Sequence, residues 1–100
     1  MNTTDVTVVR VYLAEGQQQL GQVMDWLQQQ QIGGFSVFRG IAGMGAGHQM
    51  HTASLLDLSA ELPIVIEFFD NPERVEYLVE QIKQRVEANH ILMWPAQIGV

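Results

Sequence analysis

The chain has 100 residues, 47% of them apolar and only 16% charged, and a formal net charge of −6. That length fits one domain, residues 1–100, and the acidic balance argues against a nucleic-acid backbone or an anionic membrane as the main partner, leaving room for a local basic pocket. There is no cysteine, which excludes disulfides and thiolate metal sites. The low charge means that part of the apolar surface is expected to be covered in the working state. Asp5 and Arg10 interrupt the first apolar run, so no signal peptide is read there. No stretch approaches the roughly 18 apolar residues of a membrane span. The expected location is cytoplasmic.

Residues Val6 to Ala14 have a strand composition, with apolar side chains on both alternating sets: Val6, Val8 and Tyr12 on one, Val9, Val11 and Leu13 on the other. Such a strand is expected to be buried on both faces. Gly16 ends it. Leu20, Val23, Met24 and Leu27 then form the stripe of an amphipathic helix over about Gln17 to Gln31, with glutamines on the wet face and Gly33-Gly34 as the stop. Phe35 to Ile41 reads as a second strand. It runs into Gly43-Met44-Gly45-Ala46-Gly47, which is expected to be irregular, and then into a polar stretch, His48 to Ser59. Leu62 to Phe69 is a third strand, apolar except for Glu67. Asn71 caps a second helix that begins at Pro72 and buries Val75, Leu78, Val79, Ile82 and Val86. Asn89 is expected as its left-handed C-cap. Ile91 to Trp94 opens a last strand, which Pro95 places at a sheet edge or a bulge.

Two β-α-β halves with right-handed crossovers predict an α+β, ferredoxin-like βαββαβ sandwich with antiparallel sheet order 4-1-3-2. Both helices then lie on one face, and the other face needs a cover from another subunit.

Three stretches carry a family resemblance: Gly34-Phe35-Ser36-Val37-Phe38-Arg39-Gly40-Ile41-Ala42-Gly43-Met44-Gly45-Ala46-Gly47, then His51-Thr52, then Leu58-Ser59-Ala60-Glu61-Leu62-Pro63-Ile64-Val65-Ile66-Glu67. The chain resembles domain-of-unknown-function family 190, a group of small PII-like proteins, from Val9-Arg10-Val11-Tyr12 to the last strand. The resemblance implies a PII-like homotrimer with its sheets facing inward. It also implies an adenine nucleotide (ATP, ADP or AMP) in the clefts between subunits, and signalling through the loop after the second strand, here about Gly43 to Leu58. The phosphate loop that PII proteins carry before their last strand is replaced here by Glu87-Ala88-Asn89-His90, which has no glycine.

The ligand-binding candidates are Arg39, Gly40, Gly43, Gly45, Gly47 and His51. Glycines let backbone amides approach an anion, Arg39 is the cation nearest the loop in sequence, and His51 sits in the matching motif. The run is neither a Walker loop nor a dinucleotide fingerprint. His48 and His51, with Asp57 nearby, have metal-ligand spacing only on a helix, which a glycine run disfavours, so no metal is expected. Ser36, Ser54 and Ser59 belong to no nucleophile-base arrangement, and Asp57 with Glu61 reads as a surface carboxylate pair, so no enzyme is expected; a small hydrolase using the His48/His51 loop is the minor reading. Arg10, Glu67 and Arg39 are charges within apolar strands and are expected to form one bridge on the inner sheet face. Two functions compete: a trimeric nucleotide-binding regulator, and a ligand-independent subunit that docks on another protein such as a membrane transporter or channel.

Overall fold

The computed structural model describes residues 1–45, 47–52 and 62–100. Ser54, Asp57, Ser59 and Glu61 lie outside the described residues, and so does the side chain of His51. The elements are β1 (Thr3–Ala14), α1 (Gln18–Gln28), β2 (Phe35–Arg39), β3 (Ala42–Met44), β4 (Met50–Thr52), β5 (Pro63–Asp70), α2 (Pro72–Ile82), a 3-10 turn (Ala88–His90) and β6 (Ile91–Gly99). β2, β5, β1 and β6 form an antiparallel sheet in that order, and β3 pairs with β4 as a separate ribbon. Counted over the four sheet strands, this is the predicted 4-1-3-2 order.

The core forms where the helices cover the sheet. Val9 and Val11 of β1 and Ile66 and Phe68 of β5 alternate onto one face and are almost wholly buried. Against them α1 places Val23 and Leu27, and α2 places Val75, Leu78, Val79 and Ile82. Asn71 caps α2 as its sequence predicts: its side chain accepts a hydrogen bond from the Arg74 N–H at 2.8 Å.

Several expectations are corrected. α1 ends at Gln28, before Gly33 and Gly34, with its last turn closed by Gln29 and Gln30 N–H groups on the Trp26 and Leu27 carbonyls. Asn89 is no C-cap: α2 closes at Lys83, and Asn89 belongs to the 3-10 turn. The Gly43 segment is not irregular, because Gly43 pairs with His51 and Met44 with Met50 across the ribbon. The edge position that Pro95 predicts for the last strand is what the structure has: β6 runs on through Pro95 to Gly99 at the sheet edge, where a proline needs no partner on its outer side. Within one chain the helices cover one face of β1, as expected with both helices on one side; on the other set Val6 is buried, Val8 is half-buried and Tyr12 is 40% exposed.

The uncovered face is apolar. Across the strand register, Val8 stands opposite Phe69 and Trp94, Tyr12 opposite Val65, and Phe38 opposite Val65. Phe38 is 50% exposed and Phe69 45%. At the centre Arg10 faces Glu67, and the Arg10 Nε–Glu67 Oε1 distance is 2.7 Å. The guanidinium also lies over the Trp94 ring at 5.6 Å. The hydrogen bond to Glu67, helped by one to Tyr12, pushes the Arg10 pKa above the ordinary arginine value, so Arg10 stays protonated opposite its carboxylate.

Arg39 does not join this pair. Ser36 stands opposite Glu67, and Arg39, three residues on, stands opposite the core residue Ile64. An odd offset puts a side chain on the other face of a sheet. Arg39 instead bonds Glu15 at 3.0 Å, in an exposed position.

Phe68 is the largest of the fully buried side chains. Phe68→Ala is therefore expected to lower the unfolding free energy by about 3–5 kcal/mol, measured by urea denaturation at fixed protein concentration.

Candidate functional site

A cavity of about 660 Å³ lies at the end of β1 where β5 begins. Tyr12, Leu13 and Ala14 of β1 line it, with Gln17 just before α1 and Pro63 at the start of β5. The ribbon contributes Gly43, Met44, Gly45, Gly47 and Gln49, and the 3-10 turn contributes Asn89 and His90. Tyr12 belongs both to this lining and to the uncovered sheet face, so the cavity sits at the margin of that face.

Pro63 positions the ribbon. The Gly40 N–H donates to the Pro63 carbonyl at 2.7 Å. A Cβ at Gly40 or Gly43 would come within 2.6 or 2.7 Å of the Pro63 Cγ, closer than any real side-chain contact. These two glycines are packing residues: their lack of a side chain lets the chain lie against the proline ring. Gly45 and Gly47 differ, because a Cβ at either would meet nothing within 4 Å. They face open space and leave the ribbon tip accessible. His48 takes a left-handed conformation (φ 57) and its N–H closes the turn onto the Gly45 carbonyl at 2.9 Å.

Of the predicted ligand residues, Gly43, Gly45 and Gly47 line the cavity. Arg39 and Gly40 are not among its described lining. His51 contributes its backbone to β4. Among the described residues, no group of three or more His, Asp or Glu side chains stands close enough to hold a metal ion.

The polar lining residues that sequence reasoning did not select are Tyr12, Gln17, Gln49, Asn89 and His90. The His90 Nδ1 lies 2.9 Å from the Tyr12 carbonyl oxygen, a contact between residues 78 apart in the chain. A carbonyl only accepts, so Nδ1 carries the proton and Nε2 is the ring atom left to serve a ligand. Gln17 is partly committed, since its Oε1 accepts from the Ala14 N–H at 3.0 Å. The one local signal for His90 is its position, where a glycine-rich loop would otherwise precede the last strand.

The lining holds no lysine or arginine. The chain has five such residues, and each is engaged elsewhere. Arg10 bonds Glu67, Arg39 bonds Glu15 and Lys83 bonds Glu80. Arg74 lies over the Tyr77 ring and Arg85 over the Trp26 ring. The donors the cavity offers are backbone amides, the side-chain amides of Gln17, Gln49 and Asn89, and the ring of His90.

Residues 6–98 match the family described as DUF190, Uncharacterized ACR, COG1993, and the chain belongs to that family. A UPF0166 protein of Aquifex aeolicus (strain VF5) is 34% identical over 68 residues, covering 68% of this chain and 70% of the relative. Another UPF0166 protein of the same organism is 26% identical over 88 residues, 83% of this chain and 84% of the relative. Among solved structures, the chain is similar to CPII, a nitrogen regulatory PII-like protein from Thiomonas intermedia K12 bound to ADP, AMP and bicarbonate. That likeness has a TM-score of 0.71 and 20% identity, and covers 99% of this chain and all of the other. The fold is PII-like, as the family resemblance implies.

The two classes of glycine generate a contrast. Gly43→Ala is expected to cost about 1–3 kcal/mol of stability, because the Pro63 ring must give way. Gly45→Ala is expected to stay within about 0.5 kcal/mol of wild type. Thermal and urea unfolding of the two variants side by side checks this.

Proposed function

We propose that the chain is a non-catalytic, PII-like regulatory protein that binds an adenine nucleotide in this cavity and assembles as a homotrimer through the uncovered sheet face. The observation that carries the reading is the convergence on one cavity of Gly43, Gly45 and Gly47, the Tyr12 end of β1 and the Asn89-His90 turn. The volume falls within the roughly 300–1,000 Å³ usual for small-molecule sites. Leu13, Ala14, Met44 and Pro63 supply apolar walls for a base, and the open glycines supply amides for a phosphate. The ADP and AMP bound to CPII support this choice of ligand class.

Assembly rests on separate observations. The uncovered face carries exposed Phe38, Phe69 and Trp94 around a single ion pair, and a face of that kind is stabilised by another copy. Because Tyr12 lies at the margin of both, a copy seated on the face would add walls to the cavity and make it a cleft between subunits. The regulatory output is assigned to the ribbon, whose Gly45 and Gly47 tip is free to reorganise around a ligand. Among the described residues no helix is long and apolar enough to cross a membrane.

Isothermal titration with AMP, ADP and ATP tests the nucleotide site. Wild type is expected to bind at least one of them, and Gly45→Val to bind on the order of tenfold or more weakly while remaining folded, because the branched side chain enters open space rather than the core. Equal affinities in the two proteins, or no binding by wild type, would remove the ribbon tip or the ligand from this reading.

Light scattering tests the assembly, and a trimer at micromolar concentration is expected. Glu67→Gln leaves Arg10 without its carboxylate on the covered face, and should weaken association by on the order of tenfold or more. A wild-type protein that stays monomeric would end the argument from the uncovered face.

A further inference from the structure

The cavity poses an electrostatic problem for an anion. No permanent cation lines it, and all five lysine and arginine side chains are engaged elsewhere. Neutral amides can orient a phosphate, but they do not balance its charge. His90 is the described lining residue that can become positive. Its ring is already oriented: Nδ1–H donates to the Tyr12 carbonyl at 2.9 Å. In the neutral ring Nε2 is then a lone pair, which repels a phosphate oxygen. In the protonated ring both nitrogens donate, Nε2 to the ligand and Nδ1 to Tyr12, and both bonds gain from the charge.

We infer that His90 takes up a proton when an anionic ligand enters the cavity, making anion binding at this site proton-linked and tighter as pH falls. The inference rests on the proposed nucleotide site for the natural ligand, and on the cavity's own geometry for anions in general. Imidazole is the side chain suited to such a link, because it ordinarily changes charge between about pH 5 and 8.

The charged and titratable groups on the surrounding elements agree with it. On β1 these are Tyr12, Arg10, which is held by Glu67, and Asp5 at the far end of the strand beside Gln97; Glu15, just beyond the strand, is held by Arg39. On its own turn His90 has Glu87, whose carbonyl accepts the His90 backbone N–H at 3.0 Å. β6 carries no charged side chain, and the described ribbon carries histidines and no carboxylate. Arg10 of β1 and Arg39 of β2 are each paired with a carboxylate. Glu87 forms no ion pair among the described side chains.

The sign follows from linkage. If the bound state holds more protons than the free state, affinity rises as pH falls through the range where the free ring is neutral, by at most about tenfold per pH unit. The test compares wild type with His90→Gln, whose amide can keep a bond to the Tyr12 carbonyl. AMP is titrated into both at pH 8 and pH 6, with uncharged adenosine as control. The AMP phosphate titrates in both proteins alike, so the difference between them isolates His90. Wild type is expected to gain on the order of tenfold more affinity than the variant over this interval, with adenosine unaffected in either.

A second arm follows the His90 ring signals by NMR, assigned by their loss in His90→Gln. Sulfate, which does not titrate in this range, is added against chloride at matched ionic strength. The His90 titration midpoint is expected to move to higher pH with sulfate or AMP. AMP binding with the same pH profile in both proteins, or a midpoint that neither anion moves, overturns the proton link and leaves the nucleotide site standing. Failure of AMP to bind at either pH overturns the nucleotide site, and the sulfate arm then decides the role of His90.

Discussion

Two helices can cover only one face of a four-stranded sheet, and that constraint organises this molecule. Strand side chains alternate, so β1 and β5 each send one set of residues into the helix layer and another set away from it. The first set, with Val9, Val11, Ile66 and Phe68, makes the core. The second leaves Tyr12 and Phe69 exposed, and with Phe38 of β2 and Trp94 of β6 they form an apolar surface. The Arg10–Glu67 pair at its centre gives that surface a polar register mark. A matched pair of charges costs less to cover than a lone one, and it penalises a misaligned partner.

The cavity depends on the same arrangement. It lies where β1 leaves the sheet and β5 enters it, and the ribbon is held over that point by Gly40 and Gly43 against Pro63. The glycines that look alike in a row therefore divide their work. Two permit close packing on a ring, and two keep the ribbon tip open.

Charge is used sparingly and mostly for structure. The arginines and the lysine of the described fold are tied to carboxylates or laid over aromatic rings. The cavity is thereby lined with neutral groups and one imidazole, its ring held by the backbone of β1.

The sequence by itself determined the sandwich. The stripes of Leu20, Val23 and Leu27 and of Val75, Leu78 and Ile82 repeat every 3.6 residues and need no partner to be recognised. Asn71-Pro72 announces its helix, because capping is satisfied within four residues. The glycines of the site were legible as a run, and their motif carried the family. What only the tertiary structure decided are the pairings between distant residues. The three-residue strands of the ribbon show no alternation, and they exist because Gly43 meets His51. Arg39 shares the apolar-strand context of Arg10, yet its odd offset from Ser36 turns it to the other face and to Glu15. Tyr12 was legible as a residue of the face that the helices leave open, but its place in the cavity lining comes from the fold. His90 acquires its orientation from a carbonyl 78 residues earlier. Periodicity reports which side of an element is apolar; which neighbour occupies that side depends on how the chain returns upon itself.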